Sequence, residues 1–477
     1  RCLSRGLGDV YKRQADDRRH RARARRDVRR RIQGRFHARN SAFRHVSRGV
    51  RVDELLGFGR RVTDSASESP RPATRGRAMA VATGGRFAER SASVKPIGRE
   101  RPERRARRRV VRVASTRDAR LVELYSGIGA TRLAIEPLMT LKSAIAVDNS
   151  DAANAVYEAN FSDAPRRVNV EHLDLNALFA PTGDGDEGRQ GRRNDYVLTV
   201  SPPCQPYTRR GKGLASEDPR ARSFHAVIDQ LRAIEHVPRR IFVENVVGFE
   251  SSDTRRALLN ALGSRRYDVR EFIVSPMALG IPYSRSRYYL IATLREGGFR
   301  APTPAWLAGR ELNDDGSVVT SDAQSSPSSS ATLSEYIVAD ADGRVDLLLS
   351  PDTIKKYRRM LDVVHAKSRR CSTFTSGYGS TVFGGSVVLR GGNDELVSML
   401  EVDVNETSGV ARISERDIER FVGELRWFDV EEIKRLHGVR RDFTFDACST
   451  KKAIFLLGNS ISVDVVREVL RHLIQDG

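Results

Sequence analysis

Cysteine is scarce in this 477-residue chain, with four at Cys2, Cys204, Cys371 and Cys448. Four scattered thiols exclude a disulfide framework, and their spacing offers no paired zinc-ligand pattern, so no metal site is expected and a reducing compartment fits best. Long apolar runs are also missing. Nothing approaches the length of a membrane span, no apolar signal core opens the chain, and no internal repeat of useful length is present. Acidic residues are sparse in the first quarter alone: residues 1–118 hold 35 Lys and Arg against 12 Asp and Glu, within a whole-chain net charge of +21 and a pI near 10.3. The remainder is therefore close to neutral. It cannot hold nucleic acid by bulk charge, and any such site there must be a local groove.

Residues 1–118 are rich in Arg, Ala and Ser, with little hydrophobic periodicity; Arg104–Arg109 is the densest basic run. The first methionine is Met79. Three readings stand side by side. The segment is non-native read-through, at least over residues 1–78, with Arg1–Gln14 resembling translated vector. Alternatively, it is a disordered basic arm for phosphates, or a transit peptide beginning at Met79. Location is expected to be cytoplasmic or nuclear, with organelle import under the third reading.

Hydrophobic residues make up 39% of the chain, enough for a large core. From Leu121 the pattern becomes that of an α/β domain. Leu121–Tyr125 reads as a buried strand, Ser126-Gly127-Ile128-Gly129 as a turn, Thr131–Leu141 as a helix and Ser143–Val147 as a second strand ending at Asp148. Further strands are expected at Tyr196–Val200, Ile241–Val243, Phe272–Val274 and Tyr288–Ala292, with an amphipathic closing helix over Val463–Ile474. This predicts a doubly wound, Rossmann-like core over 119–300. A loop and smaller mixed module follow over 301–424, with a Ser-rich stretch at 315–332. A C-terminal segment, 425–477, returns to the core.

Three clusters carry chemistry. Gly127 and Gly129 allow a ligand to approach the backbone at a helix start, and Asp148 lies where a carboxylate accepts ribose hydroxyls. Arg132 at the third position of the glycine pattern disfavours a dinucleotide. Ser201-Pro202-Pro203-Cys204-Gln205-Pro206 follows a strand directly, so Cys204 is presented at the carboxyl edge where open α/β sheets bind ligands, on a backbone stiffened by proline. Glu244 closes the apolar run Ile241–Val243 at the same edge, where partial burial raises a carboxyl pKa.

Pro202-Pro203-Cys204-Gln205, Glu244-Asn245-Val246, Ser284-Arg285-Ser286-Arg287-Tyr288-Tyr289 and Leu457-Gly458-Asn459-Ser460, in that order, resemble the motifs of the cytosine-5 methyltransferase family. Tyr125–Gly129, Pro206-Tyr207-Thr208-Arg209, Glu244–Glu250, Ser275-Pro276, Gly280-Ile281-Pro282, Phe374–Gly379 and Leu425–Phe428 bring the resemblance closest to its eukaryotic type 2 branch, the tRNA-aspartate cytosine-5 methyltransferases. The resemblance implies a class I methyltransferase fold using S-adenosyl-L-methionine, with tRNA as partner and cytosine 38 of the anticodon loop as target. It implies Cys204 as nucleophile and Glu244 as donor to the base. Of Arg285 and Arg287, one holds the base carbonyl, preferably Arg287, and the other anchors the loop. Tyr125, Gly127, Ile128, Gly129, Asp148, Asp174, Asn459 and Ser460 would hold the cofactor. Arg209, Arg210, Lys212, Thr373 and Phe374 would meet the substrate.

The chain departs from the family pattern at Ala130, at Thr373 (a cysteine in the family, here displaced to Cys371), and at Ile454 and Phe455, where Tyr and Arg are usual. Two alternatives therefore stand beside tRNA methylation: DNA cytosine-5 methylation and a catalytically weak nucleic-acid-binding homologue. A monomer is expected.

Overall fold

The computed structural model describes residues 118–180, 196–204, 221–295, 298–299, 301–318, 331–402 and 410–475. The basic N-terminal segment, most of the Ser-rich stretch, and Arg209, Arg210 and Lys212 lie outside these residues.

Six strands form the central sheet: β1 (Asp118–Leu124), β2 (Thr140–Val147), β3 (Tyr196–Val200), β4 (Arg240–Val246), β5 (Tyr267–Val274) and β6 (Arg287–Leu294). Their order is β2-β1-β3-β4-β6-β5. The first four run parallel, and β6 lies antiparallel between β4 and β5. Side chains along a strand alternate between faces, and here both faces are apolar. Leu121, Val197, Phe242 and Ile291 join one buried cluster, while Val122, Leu198, Val243 and Leu290 join another. A sheet with two apolar faces must be covered on both. Helices α1 (Ala130–Ile135) and α9 (Val463–Gln475) contribute to the first cluster, and α4 (Arg222–Ala233) and α5 (Asp253–Ser264) to the second. The expected doubly wound layering is what folds.

The first helix is shorter than its sequence pattern predicts. It ends at Ile135, and the following strand begins at Thr140 instead of Ser143. Pro137 supplies no N–H to continue the helix, and Thr140 and Leu141 pair instead with Asp118 and Ala119. β4 runs two residues past Glu244, because Asn245 and Val246 still pair with Tyr288 and Arg287.

Two further helices frame the site: α2 (Asp151–Phe161) and the short α3 (Leu175–Phe179). The second module is small. Helix α6 (Pro351–Tyr357) leads into a three-stranded sheet of β7 (Val363–Val364), β8 (Val387–Leu389) and β11 (Leu425–Arg426), beside the hairpin β9 (Leu400–Val402) and β10 (Ala411–Ile413). It has its own apolar cluster, including Ile354, Leu361, Val387 and Phe421. The chain then returns through α7 (Val430–Leu436) and α8 (Thr450–Gly458) to the closing helix α9.

Candidate active site

The turn after β1 is built from left-handed backbone. Tyr125, Gly127 and Gly129 have φ of 58°, 53° and 81°. Positive φ is unusual for a tyrosine, and here the Tyr125 hydroxyl hydrogen-bonds to Ser223 Oγ at 2.9 Å. Asp148, at the end of β2, accepts from Gly127 N–H at 2.9 Å through one oxygen and from Ser150 N–H at 2.8 Å through the other. Each carboxylate oxygen keeps acceptor capacity. Gly129 is required by packing as well as by its backbone angle, since a Cβ there would lie 2.4 Å from the Phe161 ring.

A cavity of about 520 Å³ opens at the carboxyl edge of the sheet. Its wall brings together Tyr125, Gly127, Ile128, Asp148, Asn459 and Ser460 with Cys204, Glu244, Arg285 and Arg287. Two hydroxyls in that wall, Ser126 Oγ and Ser460 Oγ, are buried without a hydrogen-bond partner among the described residues. Unsatisfied buried polar atoms call for a polar ligand. Left-handed glycine backbone, a carboxylate with spare lone pairs and two orphaned hydroxyls fit a nucleoside carrying an amino-acid tail.

Cys204 is half-buried. Burial and the neighbouring Glu244 carboxylate push its thiol pKa up, while Arg287 and Arg285 pull it down. Burial also raises the Glu244 carboxyl, against the same two cations. Arg287 Nε stands 3.5 Å from Glu244 Oε1. Burial and Arg285 lower the Arg287 pKa. Arg285 is otherwise engaged: its guanidinium, 2% exposed, donates to the carbonyls of Phe374, Gly458 and Ser460. Within the arginine pair, Arg287 is the partner of Glu244 and Arg285 ties backbone segments together.

Four expected site residues fall outside the cavity wall: Gly129, packed against Phe161, and Asp174, Phe374 and Thr373. Asp174 is exposed and caps α3, accepting from Asn176 and Ala177 N–H at 2.9 and 3.2 Å. Phe374, expected at the substrate, is 1% exposed in an aromatic cluster with Tyr283, Tyr378 and Phe428, its ring 4.9–5.4 Å from theirs. The Thr373 hydroxyl donates to the Ser284 carbonyl. The displaced Cys371 is fully buried, with Sγ 3.1 Å from the Pro282 carbonyl oxygen. Cys371, Thr373 and Phe374 thus meet Pro282, Ser284 and Tyr283 in turn. Ile454 packs against the core, and Phe455 lines the cavity, 40% exposed, beneath the Lys452 ammonium at 4.6 Å.

The buried support under the turn carries no motif signal in the sequence. Glu123 accepts from Arg132 N–H at 3.1 Å and from the Tyr157 hydroxyl at 2.7 Å. Asn169 and Glu171, which line the cavity beyond β2, carried no motif signal. Among the described residues, no cluster of His, Cys, Asp and Glu could hold a metal ion, and no helix is long and apolar enough to cross a membrane.

Residues 119–475 match the model of the family described as C-5 cytosine-specific DNA methylase. The chain belongs to this cytosine-5 methyltransferase family. It is 30% identical over 402 residues to the bovine (Bos taurus) tRNA (cytosine(38)-C(5))-methyltransferase, covering 74% of this chain and 98% of that protein. The corresponding mouse (Mus musculus) protein is 31% identical over 405 residues, with 74% and 93% covered. Among solved structures, the S. pombe Dnmt2 methyltransferase superposes with a TM-score of 0.56 at 25% identity, covering 75% of this chain and 99% of that one. Three quarters of this chain thus share the fold of nearly the whole of that enzyme.

Proposed function

We propose that this methyltransferase transfers a methyl group from S-adenosyl-L-methionine to C5 of cytosine in tRNA, at cytosine 38 of the tRNA-aspartate anticodon loop, through a covalent adduct with Cys204. The observation that carries the reading is the convergence of Cys204, Glu244 and Arg287 on one cavity with the Gly127–Asp148 cradle. The choice of tRNA is supported by relatives named for that substrate, aligned over nearly their whole length.

C5 of cytosine is too weakly nucleophilic to take a methyl group unaided. The Cys204 thiolate adds to C6, and the electron pair of the C5–C6 double bond becomes available at C5. Glu244, whose carboxyl burial keeps protonated to higher pH, donates to N3 as negative charge develops in the ring. Arg287 holds the base carbonyl oxygen and keeps Glu244 oriented. The bound cofactor supplies an electrophilic methyl group on a sulfonium. Tyr125, Gly127, Asp148 and Ser460 hold it against the cavity wall. Water then takes the C5 proton, N3 returns its proton to Glu244, and the C6–S bond breaks, which releases the Cys204 thiolate and restores the aromatic ring. The target base must leave its stack to reach Cys204, and a loop base is already partly unstacked, whereas a duplex base costs a few kcal/mol more.

The test is competition between equal nucleotide concentrations of tRNA and cytosine-containing duplex DNA for labelled cofactor, followed by bisulfite sequencing of the tRNA. Label at the anticodon-loop cytosine is expected. Label mainly in duplex DNA sinks the tRNA reading. Cys204→Ala should lower transfer at least about a thousandfold, since groups acting as one unit fail together, and abolish trapping on RNA bearing 5-fluorocytosine. Trapping that persists in this variant would place the nucleophile elsewhere.

A further inference from the structure

Arg285 sits where three chain segments distant in sequence meet. Its Nη1 donates to the Phe374 carbonyl at 2.9 Å, in the recognition module. Its Nη2 donates to Gly458 O at 3.0 Å and to Ser460 O, at the cavity wall. Nη1 also reaches the Tyr283 hydroxyl at 3.4 Å.

That hydroxyl is itself fixed. His437 Nδ1 lies 2.8 Å from the Ile433 carbonyl, an acceptor only, so Nδ1 carries the proton and Nε2 must accept. Tyr283 lies 3.3 Å from Nε2 and is therefore the donor. Its oxygen is left to accept from Arg285 and from Phe374 N–H at 3.4 Å. Burial and the two arginines lower the His437 pKa to about 3, so this polarity holds throughout the working pH range. Every donor direction in the chain from His437 to Arg285 is thus set.

A second contact joins the same segments independently. Gly458 is pressed against the recognition module so closely that a Cβ would lie 2.4 Å from Ser376 N and the Thr375 carbonyl carbon. The backbone leading to Asn459 and Ser460 and the backbone leaving Phe374 therefore share one buried hydrogen-bonded array. Ordering either segment orders the other, and a second ligand then loses less conformational entropy on binding.

We propose that Arg285, oriented by Tyr283 and His437, is a positioning residue that couples the recognition module to the cofactor segment, so that RNA and cofactor bind cooperatively. This rests on the reading of the cavity as a cofactor and RNA site. It goes beyond it by making the two affinities interdependent, equally in both directions.

The test is a thermodynamic cycle on the full chain. The affinity for S-adenosylhomocysteine is measured by calorimetry without and with saturating tRNA. In the wild type it should rise at least about fivefold with tRNA, the low end of ordinary couplings. In Tyr283→Phe, which keeps the ring and removes the hydroxyl, the ratio should fall to near one with each separate affinity within about threefold of wild type, and in Arg285→Lys the ratio should fall likewise. Leu258→Ala, a core cavity in α5 within the buried cluster on the other face of the sheet, controls for lost stability and should keep the wild-type ratio. If Arg285→Lys does not fold, Tyr283→Phe decides. A wild-type ratio of one, or a wild-type ratio retained in Tyr283→Phe, overturns the coupling. Failure of tRNA to bind at all would instead strike the proposed substrate, and the cycle is then run with the duplex DNA that takes the label.

Discussion

Glu244 and Arg287 are not sequence neighbours, yet the β4–β6 register faces Val246 with Arg287 and Glu244 with Tyr289, leaving Arg287 Nε 3.5 Å from Glu244 Oε1. Cys204 feels both. Glu244 raises its thiol pKa and Arg287 lowers it, on top of the larger upward effect of burial. Arg287→Gln should therefore make Cys204 a poorer nucleophile. At pH 8 its alkylation by iodoacetamide should slow by roughly threefold to tenfold, a change of about one kcal/mol. Glu244→Gln should speed alkylation above the pH at which Glu244 ionises and leave it unchanged below. Both substitutions moving the rate the same way would show that charge is not what tunes the thiol.

Gly129 carries a narrower prediction. Its φ of 81° and the rings of Phe161 and Tyr157, 2.4 and 2.9 Å from a hypothetical Cβ, leave no room for a methyl group. Gly129→Ala should destabilise the protein by about 1–3 kcal/mol and weaken cofactor binding, because the turn that presents Gly127 to Asp148 must shift. Gly127→Ala meets nothing within 4 Å and carries only the strain of φ 53°, so its loss of stability should be the smaller. Urea unfolding of both variants measures the difference, and equal losses would show that backbone strain alone accounts for them.

The sheet and its edge are legible in the sequence because they rest on local signals. Apolar strands two faces deep, Pro-flanked Cys204, and glycines one strand before Asp148 are each readable without knowing what lies opposite. Helix α1 reads too long in the sequence because its periodicity runs on through Pro137. The fates of Thr373 and Phe374 are not readable. Whether a residue in an extended segment faces a cavity or the core depends on register against residues 282–284, some 90 positions earlier. Arg285 and Arg287 share a motif, and the resemblance prefers Arg287 for the base; the carbonyls that Arg285 holds, at Phe374, Gly458 and Ser460, are visible only in the tertiary pairing. Glu123 reads as one polar residue inside a strand, and its partners come from two helices.

Thr373→Cys follows from that register. The Thr373 hydroxyl donates to the Ser284 carbonyl, and a thiol is a weaker donor. Restoring the family cysteine should leave single-turnover methyl transfer within about twofold of wild type and lower stability by roughly 0.5–1.5 kcal/mol, the usual net worth of one hydrogen bond. A rate increase of tenfold would show that position 373 does reach the substrate.

Glu123 gives the turn a pH dependence whose sign can be worked out. Burial raises its carboxyl from 4.5 to about 7, opposed by the Tyr157 hydrogen bond and the Arg132 charge. Arg132 is itself held by Glu136 at 2.8 Å and Asp163 at 2.5 Å, so its full charge is not available to Glu123. Between pH 4.5 and 7 the folded protein keeps a proton that the unfolded chain has released. Folding stability from this group is thus complete below pH 4.5 and lost as pH rises through 7, by at most about 3 kcal/mol. Glu123→Gln cannot titrate, and its amide oxygen can still accept from Arg132 N–H or Tyr157. Other carboxylates titrate alike in both proteins and cancel in the comparison. Urea unfolding at pH 5, 6, 7 and 8 should therefore show the variant gaining on the wild type as pH rises, with the gain levelling off above pH 7. Cofactor affinity, measured alongside, should weaken with rising pH in the wild type more than in the variant, since Glu123 lies directly beneath Tyr125–Gly129. Parallel stability curves for the two proteins across this range would mean that Glu123 stays ionised in the folded state.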